Sequence, residues 1–290
     1  MVNTSAKILG ITLLMLVVAT SCIWYAVMSG ERAGLLTVSF LDIGQGDAIF
    51  IDAPSGRQVL IDGGKSRSVL RELSKVMLWY DRTIDIVIGT HPDADHIGGL
   101  PDVLSRYKVA LVVESSVTDE GGADSVALEK AAAKEASEGA QRLIAQRGQI
   151  IDLGNGAYLE ILFPDRSIPT VETNTGSIVA RLVYGETRFL LTGDSPQAIE
   201  NYLVKLDADA LKSNVLKAGH HGSRTSSGQL FVGFVGPEYA IYSRGCDNSY
   251  GHPHDEVIEI FKKLEIPTLD TCLEGTITFV SDGKTLERRN

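Results

Sequence analysis

The stretch "THPDADHIGG", Thr90–Gly99, sets His91, Asp93, Asp95 and His96 within six positions, with only Pro92 and Ala94 between them. Neutral imidazole and carboxylate are the ligands preferred by zinc and its neighbours. The run follows "IDIVIGT" (Ile84–Thr90), which reads as a buried strand, and precedes "IGGLPDVLSRY" (Ile97–Tyr107), which reads as a helix. Four ligand-type side chains therefore crowd one turn at the C-terminal end of a strand. A single ion has no room for all four, so the loop reads as one that serves two ions. An Asp-rich helix cap is the plainer alternative, but a cap needs neither two acids nor two histidines.

Two ions need ligands from elsewhere, and the second half of the chain offers them at matching places. Asp194 ends "RFLLTGD", and a carboxylate there can bridge two cations. "NVLKAGHHGS" (Asn214–Ser223) runs from a strand into His220 and His221. Adjacent residues on extended backbone point apart. That makes His221 the weaker ligand candidate of the two. The plain readings are a helix cap for Asp194 and polar strand ends for the histidines.

The 290 residues are 44% hydrophobic, enough for one large domain or two small ones. The formal net charge of −10 disfavours a protein that coats nucleic acid, though not an enzyme whose metal captures a phosphate. "ILGITLLMLVVATSCIWYAVM" (Ile8–Met28) carries no charge and is long enough to span a bilayer. Residues 1–30 are expected to be a membrane anchor, or alternatively a signal segment or, through Cys22, a lipidation site. Residues 31–290 are expected to form the globule, outside the cytoplasm in each case. Lys7 before the apolar run favours a cytoplasmic N-terminus. Cys246 and Cys272 are left as a disulfide or as free thiols. Neither has CxxC spacing, which disfavours a cysteine zinc site.

Along the globule, "LLTVSFLDI" (Leu35–Ile43), "DAIFIDA" (Asp47–Ala53) and "RQVLIDGG" (Arg57–Gly64) read as strands, and Ser66–Trp79 as a helix. Ala123–Gln146 reads as one solvated helix. Strands return over Gly148–Gly154, Ala157–Pro164, Gly176–Gly185 and Thr187–Asp194. A helix follows from Ser195, its expected cap, to Lys205. A strand (Glu238–Arg244), a helix (His254–Leu264) and a last strand (Gly275–Gly283) complete the pattern. Two strand-rich halves with helices predict two packed sheets with helices outside.

"HPDADH", the upstream "LIDGG", "LTGD" and "GHHGS" resemble the motifs of metallo-β-lactamase-fold hydrolases. More narrowly, "FLDIGQGDAIFI", "THPDADHIGGLPDVL", "RFLLTGD", "LKAGHHGSRTSS" and "NSYGHPHDEVI" resemble the C-terminal hydrolase domain of ComEC-type competence (DNA-uptake) proteins and its free-standing relatives. The resemblance runs from about Leu35 to Gly283. It implies an α/β fold, a four-layered αβ/βα sandwich, here preceded by one transmembrane helix. It implies that Asp62 orients a ligand histidine, that His91, Asp93, Asp95, His96, Asp194 and His220 hold two divalent ions (Zn²⁺ or Mn²⁺), and that catalysis depends on Asp95. Asn174, in "NTGS", stands where many members carry a ligand histidine, and Asp93 also replaces a histidine of the commonest form. One ion site is therefore oxygen-rich, which implies either weak binding or a preference for manganese over zinc. The implied chemistry is hydrolysis by a metal-bridging hydroxide at phosphorus or carbonyl. His221 and His252 are candidates to protonate the leaving group. Ser223 and Arg224 are candidates to hold a phosphate, and Gln45 and Asp47 are expected near the site floor.

The expected protein is a membrane-anchored, extracytoplasmic binuclear phosphodiesterase or nuclease, with DNA or another phosphodiester as substrate and no obligate protein partner evident. Without a multi-span channel in these 290 residues, a transport role does not follow. A hydrolase of another ester, a lactone or a β-lactam would use the same site. A non-catalytic, metal-stabilised binding protein of the envelope is the alternative from another class.

Overall fold

The structure, a computed structural model, describes residues 4–30, 34–117, 119, 121–166 and 172–289. Strands β1 (Leu36–Phe40), β2 (Ile49–Asp52), β3 (Gln58–Ile61), β4 (Thr83–Gly89), β5 (Lys108–Glu114) and β6 (Gln141–Ile144) come from the first half. The second half gives β7 (Ile150–Gly154), β8 (Ala157–Phe163), β9 (Val179–Tyr184), β10 (Thr187–Leu191), β11 (Val215–Lys217), β12 (Tyr239–Tyr242) and β13 (Thr268–Asp270). β14 (Ile277–Ser281) and β15 (Leu286–Arg289) return to the first sheet. The sheet orders are β15-β14-β1-β2-β3-β4-β5-β6 and β13-β12-β11-β10-β9-β8-β7. β3 to β6 run parallel, as do β10 to β13, so several strand C-termini reach the same edge of each sheet.

The helices are α1 (Thr4–Gly30), α2 (Ser68–Val76), α3 (Ala94–Ile97), α4 (Leu100–Arg106), α5 (Ala123–Ser137), α6 (Gln197–Asp207), α7 (Gln229–Val235), α8 (Asp255–Lys263) and α9 (Thr271–Glu274). Three apolar layers hold the body together. The inner faces of both sheets meet through Val38, Phe40, Ile86, Ile88, Phe189 and Phe279. Phe279 packs edge-on against Phe40 and Phe189, with ring centroids 6.3 and 6.0 Å apart. α2, α4 and α5 cover the outer face of the first sheet, and α6, α7 and α8 that of the second. Central strands are buried on both faces, which is why they read as unbroken apolar runs. The four-layered αβ/βα expectation holds.

Some local expectations change. Helix α5 stops at Ser137, because Gly139 adopts a positive φ of 109° and turns the chain. Gln141–Ile144, expected to continue that helix, pairs parallel with β5 instead. Ser195 does not cap α6: Pro196 precedes the helix, no side chain caps it, and Ser195 Oγ is buried without a partner among the described residues. α1 includes a 21-residue stretch, Ser5–Tyr25, long and apolar enough to cross a membrane, and none of its side chains is buried. The expected domain boundary after residue 30 adjoins residues 31–33, which lie outside the described residues. Cys246 and Cys272 form a disulfide, with Cα atoms 5.0 Å apart.

Two backbone features fix the loops that carry the histidines. Gly46 has φ +119°, and a Cβ there would lie 2.0 Å from the Asp95 carbonyl oxygen. That approach lets Asp47 N donate to Asp95 O at 3.1 Å, while Gly63 N donates to His96 O at 2.7 Å. Glu200 of α6 is buried and accepts the N–H groups of Ser227 (2.6 Å) and Gly228 (2.8 Å), pinning the loop after β11.

Gly46→Ala should destabilise the protein by about 2 kcal/mol or more through the clash and the positive φ. Denaturant titration checks this, and a variant as stable as the parent would contradict it. Burial pushes the Glu200 carboxyl up to about 7, against the two hydrogen bonds that pull it down. Its stabilisation is full below the ordinary value of 4.5 and is lost as pH rises through about 7. Melting temperature should therefore carry a component that falls over that window, and Glu200→Gln should flatten it. Parallel pH–melting curves for the two proteins would refute this.

Candidate metal centre

The turn Thr90–His96 leaves the C-terminus of β4, and the loop Gly219–Gly222 leaves that of β11. Edges where strand C-termini meet are common ligand sites. Here they bring residues from the two halves of the chain together.

Hydrogen bonding fixes which nitrogen each histidine offers. His96 Nδ1 donates to Asp62 Oδ2 at 2.8 Å. Asp62 also accepts from Thr90 N (2.8 Å) and Thr90 Oγ1 (2.7 Å). His221 Nδ1 donates to the Ser243 carbonyl at 2.8 Å. His91 Nδ1 faces Thr90 Oγ1 at 3.1 Å, and that hydroxyl already donates to Asp62. In all three rings Nε2 is left with a lone pair, the arrangement that orients a metal ligand.

Those lone pairs converge. His96 Nε2 lies 3.3 Å from His221 Nε2. Asp194 Oδ2 is 3.2 Å from His96 Nε2 and 3.3 Å from His221 Nε2. Asp95 Oδ2 is 3.4 Å from His221 Nε2. Four acceptors facing one another repel unless a cation stands among them, so the donor set fits a divalent ion. Without one, protons take that place. Burial lowers the pKa values of His96 and His221, but Asp194, joined by Asp62 at His96 and Asp47 at His221, outweighs it and raises both well above the ordinary value. Asp194 moves the opposite way: burial raises it, and His221, His96 and Lys217 pull it well below the usual range.

Asp47, His96, Asp194 and His221 also form a buried group whose ligand atoms lie within 4.8 Å of one another. Asp47, though, faces the far edges of the rings, 3.3 Å from His221 Nδ1 and 3.8 Å from His96 Nδ1. Those edges already donate to Ser243 and Asp62. Asp47 instead pairs with Lys217 Nζ at 2.5 Å. On the Nε2 side, the fourth member is Asp95.

A second set lies beside the first. His91 Nε2 is buried without a partner among the described residues, 3.7 Å from Asp93 Oδ2. Thr173 hydrogen-bonds Asp93, and Oδ1 of Asn174, the next residue in the chain, is a buried atom with no hydrogen-bond partner among the described residues. The His91 and His96 rings are 4.1 Å apart between centroids.

Of the two adjacent histidines, His221 rather than His220 belongs to the buried four-residue group. His221, buried, enters the cluster. His220, 26% exposed, keeps Nε2 3.6 Å from Asp194 Oδ2 and Nδ1 3.2 Å from Thr225 Oγ1. The backbone is the reason. Both residues are left-handed, with φ 48° and 55°, so the alternation of an extended strand does not apply. His252 is buried with its ring 5.5 Å from that of His220, and its Nδ1 has no partner among the described residues. Burial, with His221 and His220 beside it, pulls it down to about 4.

Three expected substrate or floor residues make the following contacts. Arg224 is exposed and pairs with Glu256 at 3.6 Å. Ser223 Oγ accepts from Thr225 Oγ1 at 3.0 Å. Gln45 Oε1 accepts from Gly245 N at 3.3 Å. Sequence reasoning missed Lys217 and Ser243. Lys217 was readable by alternation, since Val215 of the same strand faces the other sheet. Ser243 acts through its carbonyl, which no side-chain pattern reveals.

Residues 41–245 match the family model described as the Metallo-beta-lactamase superfamily. Among curated proteins, the chain is similar to ComE operon protein 3 of Bacillus subtilis (strain 168), 32% identical over 199 residues, and to Competence protein ComA of Neisseria gonorrhoeae, 34% identical over 198 residues. Each match covers 68% of this chain and 25% of the relative, so the chain spans about a quarter of the length of these proteins. Among solved structures, Igni18, a metallo hydrolase from Ignicoccus hospitalis, aligns with a TM-score of 0.53 at 16% identity, covering 84% of this chain and 98% of that one. CmlA, a diiron beta-hydroxylase from Streptomyces venezuelae, aligns with a TM-score of 0.53 at 13% identity, covering 81% and 52%. The solved structures share the fold alone. The family match takes in His91 to His96, Asp194 and His221, and the chain belongs to the metallo-β-lactamase superfamily of metal-dependent hydrolases, with ComEC-type competence proteins among its relatives.

Proposed function

We propose that this chain is a membrane-anchored phosphodiesterase or nuclease with its catalytic domain outside the cytoplasm. The observation that carries the reading is the convergence of His96 Nε2, His221 Nε2, Asp194 Oδ2 and Asp95 Oδ2 on one point. These four residues would hold one divalent ion. His91 and Asp93, with Asn174 as the expected third donor, would hold a second through more oxygen than nitrogen, which would favour Mn²⁺ over Zn²⁺ there. Bound divalent ions acidify a water and offset the charge of a phosphodiester. Asp62, Thr90 and the Ser243 carbonyl keep the ligand rings in one tautomer and orientation. His220, whose Nε2 lies 3.6 Å from Asp194 Oδ2, is held below the ordinary histidine value by burial, so it acts as a neutral ring that hydrogen-bonds the substrate beside the metal ligands. His252 is neutral near pH 7 and serves as a hydrogen-bonding wall. Relatives named for competence make DNA the favoured phosphodiester. The Cys246–Cys272 disulfide belongs to an oxidising compartment, which supports the extracytoplasmic side.

One feature favours a second reading, an ester with an apolar group. A cavity of about 680 Å³ beside His91 is lined by Pro92, Ile97, Val117, Val126 and Leu128, with Glu114 and Asp119 among its walls. Such walls suit an apolar moiety better than a polyanion.

The test is turnover of bis-p-nitrophenyl phosphate and of single- and double-stranded DNA by the full chain in detergent, with Mn²⁺ or Zn²⁺. Activity should need metal. Asp95→Ala and His221→Ala should each lower it by ~100-fold or more, while His220→Ala keeps the metal and loses rate. Activity that survives Asp95→Ala would place the site elsewhere, and cleavage of esters or lactones alone would select the second reading. Metal must displace the protons held by His96 and His221. Mn²⁺ affinity should therefore fall from pH 8 to pH 6, by roughly tenfold per unit for each proton released. Calorimetry in buffers of different ionisation enthalpy checks this, and pH-independent binding would contradict it.

A further inference from the structure

Lys217 is the last residue of β11, and its side chain is fully buried. Nζ lies 2.5 Å from Asp47 Oδ2 and 3.3 Å from Asp194 Oδ1, and donates to the Gly193 carbonyl at 2.9 Å. Three acceptors meet three N–H groups, and both acids are themselves buried. Because Lys217 takes Oδ1, Asp194 turns Oδ2 toward His96 Nε2 and His221 Nε2. A protonated lysine is no metal ligand, so its place among the acids is electrostatic.

We propose that Lys217 is a positioning residue, a tethered cation that holds Asp194 by one oxygen and neutralises Asp47 behind the ligand histidines. It rests on the reading of the site as a metal centre. Removal of the ammonium leaves two buried carboxylates with one fewer counter-charge, and only a cation from solution can replace it.

The test compares melting temperatures of the full chain in detergent, with EDTA or with excess MnCl₂. Lys217→Met keeps the length of the side chain and removes the charge. It should lower the metal-free melting temperature by about 10 °C. Adding Asp47→Asn should recover much of that loss, and Lys217→Arg should lose less than Lys217→Met. Mn²⁺ should raise the melting temperature of Lys217→Met by more than it raises that of the parent. Failure of Asp47→Asn to rescue, or an equal Mn²⁺ gain in both proteins, would overturn the proposal. If Lys217→Met does not fold, a folded Asp47→Asn/Lys217→Met protein is the expected result, and an unfolded one overturns it. A parent that binds no divalent ion by elemental analysis would refute the metal-centre reading alone, since the metal-free rescue still decides the role of Lys217.

Discussion

Buried like charges repel unless opposite charge is fixed among them, and the joint between the two sheets is built around that constraint. Asp47, Asp62 and Asp194 are all buried there, with Asp95 at the edge. Lys217 answers two of the acids, and His96 and His221 face all four between them. The same arrangement explains the unusual proton affinities on both sides. Asp47, Asp95 and Asp194 are held ionised, and His96 and His221 are held charged until another cation takes the place of their protons. A site of this kind combines stability with metal binding, because it is electrically incomplete without a positive occupant.

The apolar layers supply what the charges cannot, a rigid edge. Strands buried on both faces bring β4, β10 and β11 to a common boundary. Close backbone contact then sets the loops. Gly46 meets the Asp95 carbonyl, Gly63 meets that of His96, and Glu200 holds the loop beyond His221. Each acts on main-chain atoms, so the ligand side chains are aimed without being crowded. All six histidines lie within one linked set of ring contacts, from His91 through His96, His221, His220 and His252 to His254.

The reading of function draws on three separable features. The convergent lone pairs support metal-dependent hydrolysis. The apolar helix is long enough to cross a membrane, and the disulfide fits the extracytoplasmic placement proposed above. The cavity beside His91 has an apolar lining, which bears on the choice between the two proposed substrate classes.

Much of this was legible in the sequence. "THPDADHIGG" declares its chemistry because four ligand-type side chains share one short turn, and Asp194 does so because it is an acid directly after an apolar strand. Two sheets with outer helices followed from the same apolar periodicity. The pairing of Cys246 with Cys272 needed the fold, since spacing does not bring their Cα atoms to 5.0 Å. The end of α5 and the strand β6 turned on one glycine, whose conformation overrode the helix-forming residues before it. The choice of His221 over His220 turned on two left-handed backbone angles, and the place of Lys217 on a carboxylate 170 residues earlier in the chain, at Asp47. Local sequence thus determined which side chains can bind a cation. Only the tertiary structure decided which of their atoms face it, because orientation depends on backbone conformation and on distant partners that no short motif contains.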